Sequence, residues 1–348
     1  MGGDFMNNKN RLIILLMSIV LLVAVGFVSI KYYDRKILKA PLKSKENEVV
    51  NITVDKDQNL DDVIDNMDKQ GKIKSKRVLK NYIKKVQAPQ KVVPGEYVFS
   101  SNLNAYDLLL NLKKGIYDNR PIKVTIPEGY NIDEIGNKLE KQGIIKKEDF
   151  IKSVKQYKIP SFIKVDNNRK YPLEGYLFPD TYEFFKGMSG DKIIDKMLDR
   201  FKYVIKEIEK ENNLKIKDND IDELINMASV IEKEAEKNDE RGKVASVFYN
   251  RIDKKMKMES CATVLYALGY HKDKLYYKDL KIKSPYNTYL NTGLPIGPIC
   301  SPGKNSIKAA LNPEKTDYLY FVSKNDGTHY FTKDYKEFLK VKKETQGD

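Results

Sequence analysis

From Leu12 to Ile30 the chain reads LIILLMSIVLLVAVGFVSI, 19 residues without a charge. As a helix rising 1.5 Å per residue, this run is roughly 28 Å long, about the thickness of a bilayer's hydrocarbon core. A helix of that length buried in a globular core normally keeps a polar stripe, and this one is apolar on every face. The run also exceeds the apolar part of a cleaved signal peptide, and no small-x-small cleavage site follows it. The expectation is a single-pass N-terminal transmembrane helix over 12–30, with a tail over 1–11 and a linker over 31–48. Lys9 and Arg11 precede the span and six Lys or Arg residues follow it by position 45. Large domains translocate largely regardless of such flanks, so charge counting leaves the side of the membrane open.

Roughly 300 residues remain beyond the linker, enough for two domains. Charged residues are 32% and aromatics 10%, the usage of a folded body rather than a disordered tail. The net charge of +14 favours an anionic neighbour such as nucleic acid, lipid headgroups or wall polymers, and it is equally the mark of a Lys-rich solvated surface. No basic-aromatic motif supports nucleic-acid binding. The two cysteines, Cys261 and Cys300, and the two histidines, His271 and His329, lack CxxC or HxxxH spacing, so neither a metal site nor a cofactor is expected.

An internal repeat stands at an offset of 72: residues 54–79 lie over 126–151. The pairs include Asn59/Asn131, Val63/Ile135, Met67/Leu139, Gln70/Gln142 and Gly71/Gly143. Each copy predicts a short strand, a turn and an amphipathic helix closed by a glycine just past its end. Between the copies, VVPGEYVF (92–99) reads as a turn into a strand, and NAYDLLLNLKKG (104–115) as a helix begun by Asn104. Beyond residue 160, YPLEGYLFPDTYEFF (171–185) is too irregular for one helix. Helices are predicted over 191–213, 220–237 and 240–256. A β-hairpin turns at Asn325-Asp326-Gly327. The class is α+β, with a helix-dominated second half.

The chain carries no phosphate loop, GxSxG elbow or HExxH. IEKE (231–234) stands out as two acids late in an apolar helix. At 100° per residue Glu232 falls on the apolar face with Leu224, Ile225 and Ala228, and Glu234 lies about 160° away. Two such carboxylates cannot flank one sugar ring together. A solvated helix end is the plain reading; a structural Glu232 with Glu234 in a cleft is the functional one, because a desolvated carboxyl has a raised pKa and can act as a general acid.

Three segments, MASVIEKEAEKNDERGKVASVFYNRIDKKMKMESCATVLYALG (227–269), SPYNTYLNTGLPIGPICSPGKNSIKAALNP (284–313) and DYLYFVSKNDGTHYF (317–331), with LEGYLFPDTY (173–182) and VVPGEYVF before them, resemble the YceG/MltG family. These are membrane-anchored endolytic murein transglycosylases. The resemblance implies a body outside the plasma membrane, a LysM-like module over 49–160 and a transglycosylase domain over 161–348. The implied substrate is peptidoglycan glycan strands, cut at MurNAc-β-1,4-GlcNAc bonds, and the resemblance suggests work beside penicillin-binding synthases. It places the catalytic glutamate on Glu234 and implies substrate-binding roles for Glu174, Ser260, Thr263, Tyr286, Asn287 and Tyr289. Many members carry Asp-Pro where this chain has Cys261-Ala262. The family brings the loop of Cys300 close to Cys261, so a Cys261–Cys300 disulfide is expected. The competing reading is a non-catalytic, membrane-anchored peptidoglycan-binding scaffold.

Overall fold

The computed structural model describes residues 17, 25–26, 28–44, 48–116, 118–270, 272 and 275–347. Most of the 12–30 run, and His271, lie outside these. Among the described residues 28–39 are helical, and no helix is long and apolar enough to cross a membrane. The chain divides into two compact units, Met1–Pro121 and Ile122–Asp348.

The first unit carries strand β1 (Val49–Val54), helices α1 (Leu60–Lys69) and α2 (Lys76–Lys85), strand β2 (Gly95–Ser100), helix α3 (Ala105–Lys114) and the short β3 (Asp118–Asn119). β1 and β2 pair antiparallel, from Val49 opposite Ser100 to Val54 opposite Gly95, and β3 adds parallel to β2. Along β1 every second residue turns inward, so Val50, Ile52 and Val54 meet Leu60, Ile64 and Met67 of α1 in one apolar core. Asn59 starts α1 with a capping box: its side chain accepts from the Asp62 N–H, and the Asp62 carboxylate accepts from its N–H.

The second unit opens with the same four elements. β4 (Ile122–Thr125), α4 (Ile132–Lys141) and α5 (Lys147–Gln156) are followed by β5 (Thr181–Phe184), which pairs antiparallel with β4. Asn131 and Glu134 repeat the capping box, and Gly71 and Gly143 take matching positive φ of 66° and 68° after their helices. The repeat is thus a complete β–α–α–β unit. Its second copy is interrupted by residues 157–180, which hold most of the LEGYLFPDTY motif. That copy buries Val124, Ile132, Ile135, Leu139 and Phe150 in the same core as the helices that follow. The expected module boundary at 160/161 therefore lies instead between Pro121 and Ile122: a copy that shares its apolar face with later helices cannot close a core of its own.

Those helices are α6 (Gly190–Glu211), α7 (Asp218–Glu234), α8 (Arg241–Asp253), α9 (Cys261–Leu268) and α10 (Lys304–Leu311). α7 is central, packed against α8, α9 and α10 and buried continuously from Leu224 to Ile231. The predicted hairpin forms as β6 (Tyr320–Ser323) and β7 (His329–Thr332), with α11 (Tyr335–Gln346) across both strands.

Candidate active site

α7 stops at Glu234, three residues short of its predicted end. Ala235 leaves the helix with φ −103° and ψ 111°, and its carbonyl accepts from Arg241 Nη1 at 2.7 Å. The acid therefore sits on the last helical residue, where its backbone joins the negative end of the helix dipole. Its side chain reaches the start of α9, where Ser260 Oγ donates to Glu234 Oε1 at 2.5 Å and the Ala262 N–H points at the same carboxyl. Glu234 remains partly open to solvent yet is ringed by protein. Burial pushes its carboxyl above the ordinary glutamate value; Ser260, the Ala262 N–H and the charge of His329 oppose that rise without cancelling it.

Glu232 faces the other way. Its carboxylate accepts from Gly303 N at 2.9 Å and Ser306 Oγ at 2.7 Å at the start of α10, and pairs with Arg241 at 3.4 Å. The helical wheel assigned these two faces correctly. One acid ties helices together and the other reaches the start of α9. A groove of about 600 Å³ is lined by Lys233, the chain neighbour of Glu234, and by Ala262, whose N–H meets it, together with Asn131, Lys170 and the exposed Tyr270; the Glu234 side chain itself is not in its lining. Its volume is in the range that holds a small ligand or a length of sugar chain.

The residues expected to touch sugar divide into two sets. Ser260 meets Glu234 directly, and Tyr289, half-buried, shares a 3.1 Å hydrogen bond with the thiol of Cys261. The others stand behind these. Thr263 and Thr288 share a 2.9 Å hydrogen bond, and Thr288 Oγ1 accepts from Ser260 N at 3.0 Å, so the pair fixes where Ser260 points. Asn287 is wholly enclosed; its amide donates to Leu280 O and Ile282 O, and its carbonyl oxygen accepts from Tyr289 N. Tyr286 packs edge-on against Tyr266 and accepts from Lys170 N. Sugar contact is corrected to a supporting position for Thr263, Asn287 and Tyr286, because their polar atoms are satisfied inside the wall.

Glu174 requires the largest correction. Only 1% exposed, it accepts from Ile132 N at 3.0 Å and from Tyr266 Oη at 2.7 Å, joining the second repeat to α9. Burial raises its carboxyl to about 8, against the pull of the Tyr266 and Ile132 donors. Between about pH 4.5 and 8 the folded chain keeps a proton that the unfolded chain has released, so this residue makes stability fall as pH rises through that window. Glu174→Gln is expected to flatten that slope. Urea midpoints at pH 5 and pH 8 check it: the variant should gain on the parent at pH 8 and not at pH 5.

The expected disulfide is absent. Both thiols are free: Cys261 is exposed and bonded to Tyr289, while Cys300 is buried and donates to Ser229 O at 3.3 Å. Each sulfur has a separate partner, so proximity of their loops does not bring the thiols together.

The family model described as the YceG-like family matches residues 52–344. The chain belongs to the YceG-like family. An endolytic murein transglycosylase of Bacillus subtilis strain 168 is 36% identical over 323 residues, covering 89% of this chain and 88% of that protein. One of Streptococcus pneumoniae D39 is 30% identical over 341 residues, 90% of this chain but 61% of that longer protein. The crystal structure of a yceG-like protein from Listeria monocytogenes superposes with a TM-score of 0.57 at 33% identity, covering 84% of this chain and 99% of that one.

Within this YceG-like site, sequence reasoning passed over Arg241, Glu240, Thr288 and the Ala262 N–H, and took His329 only as a poor metal ligand. Thr288 lay inside the quoted YNTY motif. Arg241 reaches back only six and nine residues, to Ala235 and Glu232, while Glu240 and His329 meet across 89 residues that no spacing in the sequence announces.

Proposed function

We propose that the chain is an endolytic peptidoglycan lytic transglycosylase that cuts MurNAc-β-1,4-GlcNAc bonds within nascent strands and so limits their length, with Glu234 as its single acid and base. The carrying observation is the Glu234 carboxyl, partly open at the end of α7 and held by Ser260 Oγ and the Ala262 N–H. Glu232 is committed to Arg241, Gly303 and Ser306, and Glu259, on the same wall, is paired with Arg251 at 3.1 Å. A hydrolase of the usual design needs two carboxyl groups across the bond, one of them to activate water or attack the sugar. A lytic cleavage needs one. Protonated Glu234 gives its proton to the glycosidic oxygen as the bond from C1 of MurNAc to that oxygen breaks. The carboxylate then takes the proton of the same sugar's 6-hydroxyl as O6 bonds to C1, which closes the 1,6-anhydro ring and restores the acid. Ser260 and the α9 N-terminus hold the carboxylate between these steps, and burial raises the proton affinity of the resting group.

Mass spectrometry of products from purified protein and uncrosslinked glycan strands tests this. Fragments ending in 1,6-anhydroMurNAc are expected. Water-added reducing ends would assign the site to a lysozyme-type hydrolase instead.

Three finer readings complete the proposal. Residues 12–30 anchor the chain as a single-pass span in the plasma membrane with the body outside, supported by the charge-free apolar run. The first β–α–α–β unit is a LysM-like glycan-holding module, supported by its self-contained core. Penicillin-binding synthases in the same membrane supply the strands, as the family resemblance suggests.

A further inference from the structure

A MurNAc unit carries its stem peptide on O3, and O3 belongs to the same six-membered ring as the reacting C1. Whatever holds that ring for Glu234 must therefore leave a way out for the peptide close to the acid. The groove between α4 and α9 comes closest to the acid at Lys233, which precedes Glu234 in the chain, and at Ala262, whose N–H meets its carboxyl. At about 600 Å³ it has room for a short peptide.

The charges of the groove are unbalanced. Three lysines, Lys147, Lys170 and Lys233, line it against two carboxylates, Asp133 and Glu134, and both carboxylates are engaged. Asp133 pairs with Lys170 at 2.8 Å and with Lys147 at 3.3 Å, and accepts from Tyr171 Oη at 3.1 Å. Glu134 accepts from Asn131 N at 2.8 Å in the cap of α4. Lys170 is also fixed by two rings, its ammonium 5.4 Å from both Tyr171 and Tyr266. That leaves Lys233. Exposed, it makes one long contact to Gly129 O at 3.4 Å, and among the described residues it forms no salt bridge. An ammonium without a counter-ion, at the end of the groove nearest the acid, suits an anion. The sugars of the strand are neutral, and its charge lies on the carboxylates of the stem peptides.

We propose that this groove receives the stem peptide of the MurNAc unit being cut, and that Lys233 pairs with a peptide carboxylate, so that the site selects peptide-bearing strands. The inference rests on Glu234 being the acid. It makes Lys233 a specificity-determining residue and sets α4, from the second repeat, as the far wall of the peptide site.

The test is kcat/KM for anhydro-product release by the full chain in detergent on three substrates. These are uncrosslinked peptide-bearing strands, the same strands with their peptide carboxylates amidated, and strands stripped of peptide. For the parent, amidation should lower kcat/KM by about tenfold or more, the scale of one charge-assisted hydrogen bond. Stripping should lower it at least as far. Lys233→Met should cut peptide-bearing strands more slowly and respond little to amidation, whereas Lys233→Arg should keep the parent's response. The two changes are thus expected to be non-additive, which a merely structural role for Lys233 would not produce. A parent that cuts amidated or stripped strands as fast as peptide-bearing ones overturns the proposal. So does an amidation effect of the same size in Lys233→Met as in the parent. Should Lys233→Met be inactive, the parent's response to the three substrates decides. Absence of anhydro product from every substrate would instead defeat the reading of Glu234 as a lytic acid, an outcome distinct from a lost preference.

Discussion

A chain carrying Glu234→Gln is expected to lose anhydro-muropeptide release by at least 10²–10⁴-fold, the usual contribution of a positioned acid and base, while remaining folded. The amide has the same shape, and its oxygen can still accept from Ser260 Oγ and the Ala262 N–H. Burial already disfavours the charged form of this carboxyl, so replacing it with a neutral group should leave the melting temperature unchanged or higher at alkaline pH. The sign follows from the raised pKa: the proton is kept in the fold and released on unfolding, so ionisation works against the folded state as pH climbs. Glycan binding should persist, because the groove and its lysines are untouched. The measurement is product yield against time with thermal melts at pH 6 and pH 9; full cleavage by the variant would remove Glu234 from the mechanism. Glu232→Gln is the matched control, expected to weaken the α7–α10 connection yet keep cleavage.

The second large effect is on stability. Asp222, at the start of α7, accepts from Arg169 Nη1 and Nη2 at 2.8 and 2.6 Å, from Tyr176 Oη at 2.6 Å and from Lys164 N at 2.9 Å. The two side chains are 3% and 12% exposed. Burial by itself would raise the Asp222 carboxyl; the guanidinium, the phenol and the amide together outweigh that and hold it below the ordinary range. Asp222→Ala strands a buried guanidinium and is expected to cost about 3–5 kcal/mol, a shift in melting temperature on the order of 10 °C for a body of this size. Because the carboxyl is depressed in the fold, the Asp222 contribution is present above its unfolded pKa and is lost as pH falls through the folded value. Thermal melts of parent and variant should therefore diverge at pH 7 and converge toward pH 3. A variant that melts with the parent at pH 7 would show that this pair holds nothing together.

The two large effects sit at opposite ends of α7, and this explains how much of the site was legible. Helical periodicity was enough to separate Glu232 from Glu234, because the face of a helix depends on spacing alone. Gly71 and Gly143 marked the helix ends of both repeats, since left-handed turns depend on one or two residues. The hairpin at Asn325–Gly327 was legible for the same reason. Glu174 was misread because a buried acid and a sugar-binding acid look alike in a motif; the difference lies in Ile132 and Tyr266, which arrive from 42 and 92 residues away. The cysteines were misread because nearness of two loops does not set the direction of two thiols.

What the sequence determined by itself, therefore, was local: the main helices and strands, which face of α7 is apolar, and that the strand-and-helix module occurs twice. Tertiary structure alone decided that the second module merges with the helices after it, that Glu234 meets Ser260 at the start of α9, and that Glu240 meets His329 at the start of β7. The physical reason is range. Backbone propensity and periodicity act over a few residues and are written in order along the chain. Desolvation, charge pairing and the closing of a core depend on residues that become neighbours only when the whole unit is packed.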